Sequence, residues 1–380
     1  MKLDAFHSIR IALGGALCVL LLTTCDSPIQ RNEVDPAAQF AEGGGGGEEG
    51  GEDPPPAGVW DGTQEIVFNE SFSGGDRLVV VAGNGSNRAV VFTRLDGDPS
   101  PGDAEIAPDG NSIVFHYDAG VYRISRDLVT SDISPPVLLF DFDFPTSQPE
   151  QTVSPDGTRV AWTGIDPDFI GCGPALASID LYVHDLAAGT STRITSNNNC
   201  LTEPTITTKT PVWVSNTEIA VSQRNYGNNN GNDYIEAWDI GTLEDVDDDG
   251  VIDILVVTTN THGYPPPVIQ YWVPLEWAPD AARGVIVTPS PWDLYLVDFS
   301  GSTNVSCNIT SAIDNAVFEP SLGPGNRIVF RIRTGKKWSL VTGTVGPGCP
   351  ASVVLDEPFV TQGSGRGAAT PTNPHWRRPM

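Results

Sequence analysis

Apolar residues recur in short runs along most of this chain, and in many runs they alternate with polar ones. Clear examples are Gly120-Val121-Tyr122-Arg123-Ile124, Asp180-Leu181-Tyr182-Val183-His184-Asp185, Tyr234-Ile235-Glu236-Ala237-Trp238-Asp239 and Asp293-Leu294-Tyr295-Leu296-Val297-Asp298. A period of two, with Val, Ile, Tyr and Trp enriched, predicts β-strands. No stretch after residue 24 shows a 3.6-residue period, so the pattern predicts an all-β chain.

The strands belong to a repeat. Residues 105–115 read EIAPDGNSIVF and residues 152–162 read TVSPDGTRVAW. Each predicts two strands joined by a tight turn, in which Pro108 and Pro155 fix φ and Gly110 and Gly157 accept a positive φ. Weaker copies read PVWVSNTEIAV at 211–221, LEWAPDAARGVIV at 275–287 and EPSLGPGNRIVF at 319–330. The turn positions Asp109, Asp156, Asn216, Asp280 and Gly325 lie 47, 60, 64 and 45 residues apart. That is the length of a four-stranded propeller blade with insertions.

These copies resemble the WD40-like repeat of the TolB family, whose pattern runs x-W-S-P-D-G-x-x-I-A-F, then D-I-Y-V-x-D, then a fourth strand such as Thr192-Arg193-Ile194-Thr195. The resemblance covers residues 101–346 and implies a β-propeller in contact with proteins of a bacterial envelope. Residues 65–95 hold three strands but no preceding first strand. The segment Asn373-Pro374-His375-Trp376-Arg377-Arg378 has the missing character. We expect it to pair into the first blade and close a ring of six, which leaves no open strand edge between the first and last blades. The alternative is a frayed tail after Val360.

The N-terminus changes the picture from a soluble ring to a tethered one. Lys2 and Arg10 precede the apolar run Ile11–Leu22, 12 residues long. At about 1.5 Å per residue such a run is too short to cross a bilayer core of roughly 30 Å. It reads as an export signal over 1–24. Leu22-Thr23-Thr24-Cys25 resembles a bacterial lipobox, which implies a lipid on Cys25. The segment 25–57 contains Gly43 to Gly47, then the acidic residues Glu48, Glu49, Glu52 and Asp53, then Pro54 to Pro56, and predicts a flexible tether before a propeller over 58–380.

Charge and cysteine usage narrow the partners. The formal net charge is −27 from 21 basic and 48 acidic residues. Removal of residues 1–24 leaves 19 against 47, or −28. Such a surface repels nucleic acid and anionic lipid, so membrane contact is expected through the lipid anchor only. Cys172, Cys200, Cys307 and Cys349 have no C-x-x-C spacing and point away from zinc. Four cysteines allow three pairings; the repeat favours Cys172–Cys200 and Cys307–Cys349, with four reduced thiols as the alternative.

The sharpest chemical motif is Asp245-Val246-Asp247-Asp248-Asp249-Gly250-Val251-Ile252-Asp253. It resembles a calcium loop, with Asp245, Asp247, Asp249, the Val251 carbonyl and Asp253 as oxygen ligands for a structural Ca²⁺. The alternative is an acidic turn between the third and fourth strands of blade four. No H-E-x-x-H or G-x-S-x-G motif occurs, and no catalytic residue is assigned. Binding follows as the expected work: a monomeric envelope scaffold for a protein or glycan. Two alternatives remain open, a polysaccharide hydrolase or lyase at the channel and a calcium-stabilised structural surface protein.

Overall fold

The computed structural model describes residues 58–95, 100–118, 120–141, 151–165, 179–195, 205–226, 234–245, 254–262, 275–277, 283–289, 292–298, 305–313, 315–347, 349, 351–362 and 370–377. The expected signal, Cys25 and the tether lie outside these residues, as do Cys172 and Cys200. Among the described residues no helix is long and apolar enough to cross a membrane.

The alternating patterns form six antiparallel sheets. Blade I contains β1 (Ile66–Phe72), β2 (Gly75–Val81) and β3 (Ala89–Leu95). Blade II contains β4 (Gly102–Ile106), β5 (Ser112–Tyr117), β6 (Gly120–Ser125) and β7 (Val137–Asp141). Blade III contains β8 (Gln151–Val153), β9 (Arg159–Ile165), β10 (Ile179–Asp185) and β11 (Thr190–Arg193). Blade IV contains β12 (Thr205–Trp213), β13 (Glu218–Tyr226), β14 (Tyr234–Glu244) and β15 (Ile254–His262). Blade V contains β16 (Leu275–Trp277), β17 (Arg283–Pro289), β18 (Trp292–Asp298) and β19 (Val305–Asn308). Blade VI contains β20 (Ala316–Leu322), β21 (Arg327–Thr334), β22 (Lys337–Val345), β23 (Val353–Leu355) and the short β24 (Val360–Thr361), which also pairs with β22.

The last strand, β25 (Thr370–Trp376), is the first member of blade I, in the order β25-β1-β2-β3. Its register places Ile66 opposite Trp376 and Ser71 opposite Thr370. The expected closure is therefore present, and the strand starts three residues earlier than Asn373. The first strands touch in a closed circuit: β4 to β8, β12, β16, β20, β25 and back to β4. This is a six-bladed β-propeller.

The Pro-Asp-Gly turns form as their residues dictate. Gly110 and Gly157 have φ of 71° and 70°. Their amides donate to Ala107 O and Ser154 O, each at 2.8 Å. The Asp109 carboxylate accepts the Asn111 amide at 2.9 Å, and Asp156 accepts the Thr158 amide at 3.0 Å. The turns thus satisfy their own polar groups and leave the flanking apolar residues free to pack.

The core lies between blades. One buried cluster joins blades I and II through Trp60, Leu78, Ile106 and Phe115. Another joins III and IV through Leu181, Trp213 and Ile219. A third joins VI and I through Val329, Leu340, Phe68 and Trp376. Burial at about 25 cal/mol per Å² of apolar surface makes these joints the main source of stability.

Two joints share one side-chain device. Arg159, the first residue of β9, lies 5.2 Å from the Trp213 ring centroid in the next blade, and its guanidinium donates to Asn216 O at 2.5 Å. Arg327, the first residue of β21, lies 5.6 Å from the Trp376 ring. Arg283 holds the same position in blade V and donates to Asn326 Oδ1 of blade VI. A covalent tie reinforces the joint between blades V and VI: Cys307 in β19 is bonded to Cys349, with Cα atoms 5.7 Å apart.

Candidate functional site

The first strand of several blades carries an extra residue. Register shifts occur between Gly102 and Glu105, Lys209 and Val212, and Phe318 and Ser321, and opposite the Val67–Asn69 step in β25. At three of these bulges a non-glycine residue has positive φ: Asp103 at 41°, Glu319 at 49° and Asn373 at 46°. Such backbone costs about 1–3 kcal/mol per residue and persists only where surrounding contacts impose it. Bulges re-aim side chains, and here they do so on strands that line the centre of the ring.

The second strand places a polar residue opposite each bulge. His116 pairs with Gly102, Arg331 with Phe318 and Asn69 with Thr372. All three are buried. Arg331 donates to Glu319 Oε1 at 2.5 Å and lies 4.1 Å from the Trp338 ring centroid. Glu319 Oε2 accepts the Asn373 amide at 2.7 Å. The bulge of blade VI thereby grips the bulge of blade I.

Around blade II the polar groups are less completely used. Asn69 donates to Pro101 O at 2.6 Å and Gln151 to Asp103 O at 3.2 Å. These bonds fix the amides, so Asn69 Oδ1 and Gln151 Oε1 are acceptors. Neither has a partner among the described residues, nor does His116 Nδ1. Burial lowers the His116 pKa below 6.5, so the ring is neutral at pH 7. A neutral ring without a charged neighbour in hydrogen-bond contact suits packing better than proton transfer.

Other groups of catalytic type hold structure. Glu70 pairs with Arg77 at 2.5 Å and Arg88 at 2.6 Å. Asp76 pairs with Arg94, and Asp180 with Arg193 at 2.7 Å. His184 Nδ1 lies 2.9 Å from Ser191 Oγ, but its ring packs against Phe140 with centroids 4.4 Å apart. Its neighbour Asp185 accepts the amides of Ala187 and Ala188, each at 2.8 Å, and so caps a turn. Burial lowers the His184 pKa, partly opposed by the Asp185 charge.

Of the residues singled out in the sequence, Cys307 and Cys349 are brought together as expected. Asp245 follows the last residue of β14, and Glu244 is the Cα partner of Ile254 in β15. The acidic segment therefore connects the third and fourth strands of blade IV. Asp247, Asp249, Val251 and Asp253 lie outside the described residues, so the calcium loop itself is not tested by the fold. The bulged residues Asp103, Glu319 and Asn373 were not read as special in the sequence. Proline directly after Glu319 and Asn373 was the available signal, because it biases the preceding residue away from helical geometry.

A closed ring of six antiparallel sheets sealed by β25 defines a six-bladed propeller, and solved structures that share this fold include TolB. The TolB of Acinetobacter baumannii superposes with a TM-score of 0.50 at 14% identity, over 84% of this chain and 68% of that one. A protein assigned as TolB from Agrobacterium tumefaciens gives 0.48 at 14% identity, over 80% and 91%. An oligogalacturonate lyase in complex with manganese gives 0.45 at 14% identity, over 77% and 88%. At such identity the likeness is one of fold. No protein-family profile and no curated protein matches the chain.

Proposed function

We propose that the protein is a binding scaffold of the bacterial cell envelope, anchored through lipid on Cys25, that presents its propeller to a protein or glycan. The observation that carries this reading is the engagement of its buried charges. The buried Glu70, Asp76 and Asp180, and the half-buried Glu319 with its buried partner Arg331, are each engaged in an ion pair within a blade. Groups committed in this way keep a ring rigid, and a rigid ring with variable loops is a platform for recognition. The export pattern before Cys25 and the long 25–57 segment supply the envelope location in this reading.

Calcium has a structural part in the same proposal. Asp245, Asp247, Asp249, the Val251 carbonyl and Asp253 would give oxygen ligands to one Ca²⁺ between the paired ends Glu244 and Ile254. The bound ion would neutralise repulsion among four carboxylates.

The test is crosslinking of the full chain in intact cells, followed by identification of what is joined to it. The expected result is one recurrent envelope protein or glycan, lost when Cys25→Ala releases the chain from the membrane fraction. Recovery of no recurrent partner at native expression would overturn the reading. Calcium is tested separately, since a melting temperature that does not move between millimolar Ca²⁺ and chelator rejects its stabilising role.

A further inference from the structure

The outer strands of the blades differ in how they meet water. In blade I, Val91 and Phe92 of β3 are buried and Arg94 is paired with Asp76. In blade III, β11 reads Thr-Ser-Thr-Arg. In blade V, β19 is tied down by Cys307. In blade VI, β23 is three residues long. Charge, polarity, cover and brevity are the usual ways in which an edge is kept from pairing with other chains.

Blade II exposes a longer apolar strip, although β19 also opens Val305 and β23 opens Val354 and Leu355. Its outer strand β7 reads Val-Leu-Leu-Phe-Asp and borders only β6 among the described residues. Val137 is 51% exposed and Leu138 43% exposed. A register shift opposite the Val121–Tyr122 step leaves Leu139 as the extra residue. Leu139 and Phe140 pack against the buried cluster of Val114, Val121 and Val160, so the bulge separates an inward pair from an outward pair. The hairpin that leads into β7 adds Leu128 at 69% and Val129 at 92% exposure. Four of the large apolar side chains most open to water thus sit on one β6–β7 hairpin.

Acidic residues bracket this apolar strip. Asp127 and Asp132 stand at the hairpin tip, and Asp118 and Asp141 at the other end. The Asp127 carboxylate accepts the amides of Val129 at 2.7 Å and Thr130 at 2.8 Å. Those bonds, the Thr130 one foremost, lower its pKa below 3.8 and keep it ionised. Two arginines lie nearby: Arg126 is held by Asn111 Oδ1 at 2.5 Å, and Arg123 of β6 is the Cα partner of Val137.

We infer that β7 is a docking edge for an extended segment of another polypeptide, apolar in its middle and basic at its ends, which adds to blade II as a further strand. The inference rests on the binding-scaffold reading and names the surface and the partner's chemistry. A second copy of this chain fits poorly. Both copies would carry a net charge of −27, and a five-residue edge is far smaller than the roughly 1,200 Å² that stable interfaces bury. A basic, extended partner meets both the acidic ends and the edge of β7 at Val137 and Leu138 that borders no strand among the described residues, the mode known as strand addition.

The probe is a synthetic seven-residue peptide with valine at alternate positions, threonine between them and lysine at both ends. It is titrated against the full chain, with a glutamate-ended peptide as control and Leu138→Lys as the variant. Leu138 is exposed, so the variant should keep the wild-type melting temperature. The expected result is binding that weakens about tenfold in the variant and with the glutamate-ended peptide, together with slowed amide exchange confined to Val137–Asp141. Equal binding by wild type and variant, or binding without that protection, overturns the proposal. The same variant in the cellular crosslinking separates the two readings. A partner recovered equally with Leu138→Lys leaves the scaffold standing and removes this edge; no recurrent partner with the wild type removes the scaffold, and the peptide titration then decides the edge alone.

Discussion

The joint between blades III and IV and the joint between blades VI and I use the same pair of residue types, yet they are built to different standards. In both, the first residue of a second strand, Arg159 or Arg327, reaches the tryptophan of the next blade, Trp213 or Trp376. Blades III and IV are also consecutive in the chain, so their joint cannot drift apart. Blades VI and I meet through β25, which pairs with β1 some 300 residues earlier. Both joints carry cross-blade bonds: at VI–I the Trp376 amide to Ser321 Oγ at 2.8 Å and the Asn373 amide to Glu319 at 2.7 Å, and at III–IV the Asp156 amide to Asn216 Oδ1 at 2.9 Å and Trp213 Nε1 to Thr152 O at 3.1 Å. The closing joint leaves no room beside its tryptophan, since a Cβ on Gly323 would meet the Trp376 ring at 2.5 Å. The closing joint must hold by such contacts and by the β25–β1 pairing alone, whereas the same kind of contacts at III–IV are backed by chain continuity.

Removal of the shared tryptophan should break this comparison most visibly. Truncation of a buried Trp costs about 3–5 kcal/mol. Trp376→Ala should reach the upper part of that range and raise amide exchange throughout β1. Trp213→Ala should cost less and leave the β12–β13 pairing protected. Equal loss of protection at both joints, measured by exchange and urea unfolding, would show that continuity contributes nothing.

The disulfide comes next. Cys307→Ser with Cys349→Ser should cost about 2–4 kcal/mol. Because the bond ties blade VI back to blade V, its loss should add to Trp376→Ala more than to Trp213→Ala, as a double-mutant comparison would register.

A smaller change sharpens the packing argument. Gly323→Ala should cost about 1–3 kcal/mol through overpacking against Trp376. Gly325→Ala, two residues on, has φ of 65° but nothing within 4 Å of the added Cβ. It should cost only about 1 kcal/mol from its left-handed backbone. Thermal unfolding of the pair separates crowding from conformational strain.

The smallest effect is one of pH. His116 and His184 have folded pKa values below 6.5 because burial disfavours the charged ring. The unfolded chain binds more protons in that window, so stability is full above about pH 6.5 and declines as pH falls below it. His116→Asn should flatten the decline in part. Acidification to pH 5 should therefore loosen blades II and III, which hold these two rings, first. Exchange at pH 7 and pH 5 would show the order.

Much of this was legible in the residues. The Pro-Asp-Gly turns at 108–110 and 155–157 and the strands around them follow from local rules, while the closing strand near Trp376 and the Cys307–Cys349 pair were legible only through the repeat, as preferences with alternatives open. The inter-blade arginines were not legible copy by copy. Arg159 and Trp213 become partners only when the residue after one turn is set beside the residue before the next, a comparison across blades. The bulges at Asp103, Glu319 and Asn373 were hidden for a similar reason. Their backbone is fixed by neighbours such as Gln151 and Arg331, which lie far away in sequence or on the facing strand. The exposed edge of β7 was invisible to pattern reading, because Val-Leu-Leu-Phe looks the same in a buried strand and a bare one.

The position of β25 also imposes an order in time. While the chain is being made, β1 exists without its inner neighbour until residues 370–376 emerge. During that interval Ile66, Val67 and Phe68, all buried in the finished ring, face an unpaired edge. Closure of the whole propeller thus waits on β25, and a chain interrupted between blade VI and β25 carries every other strand of the ring yet is unsealed, with a strand edge open to whatever chain or chaperone reaches it first.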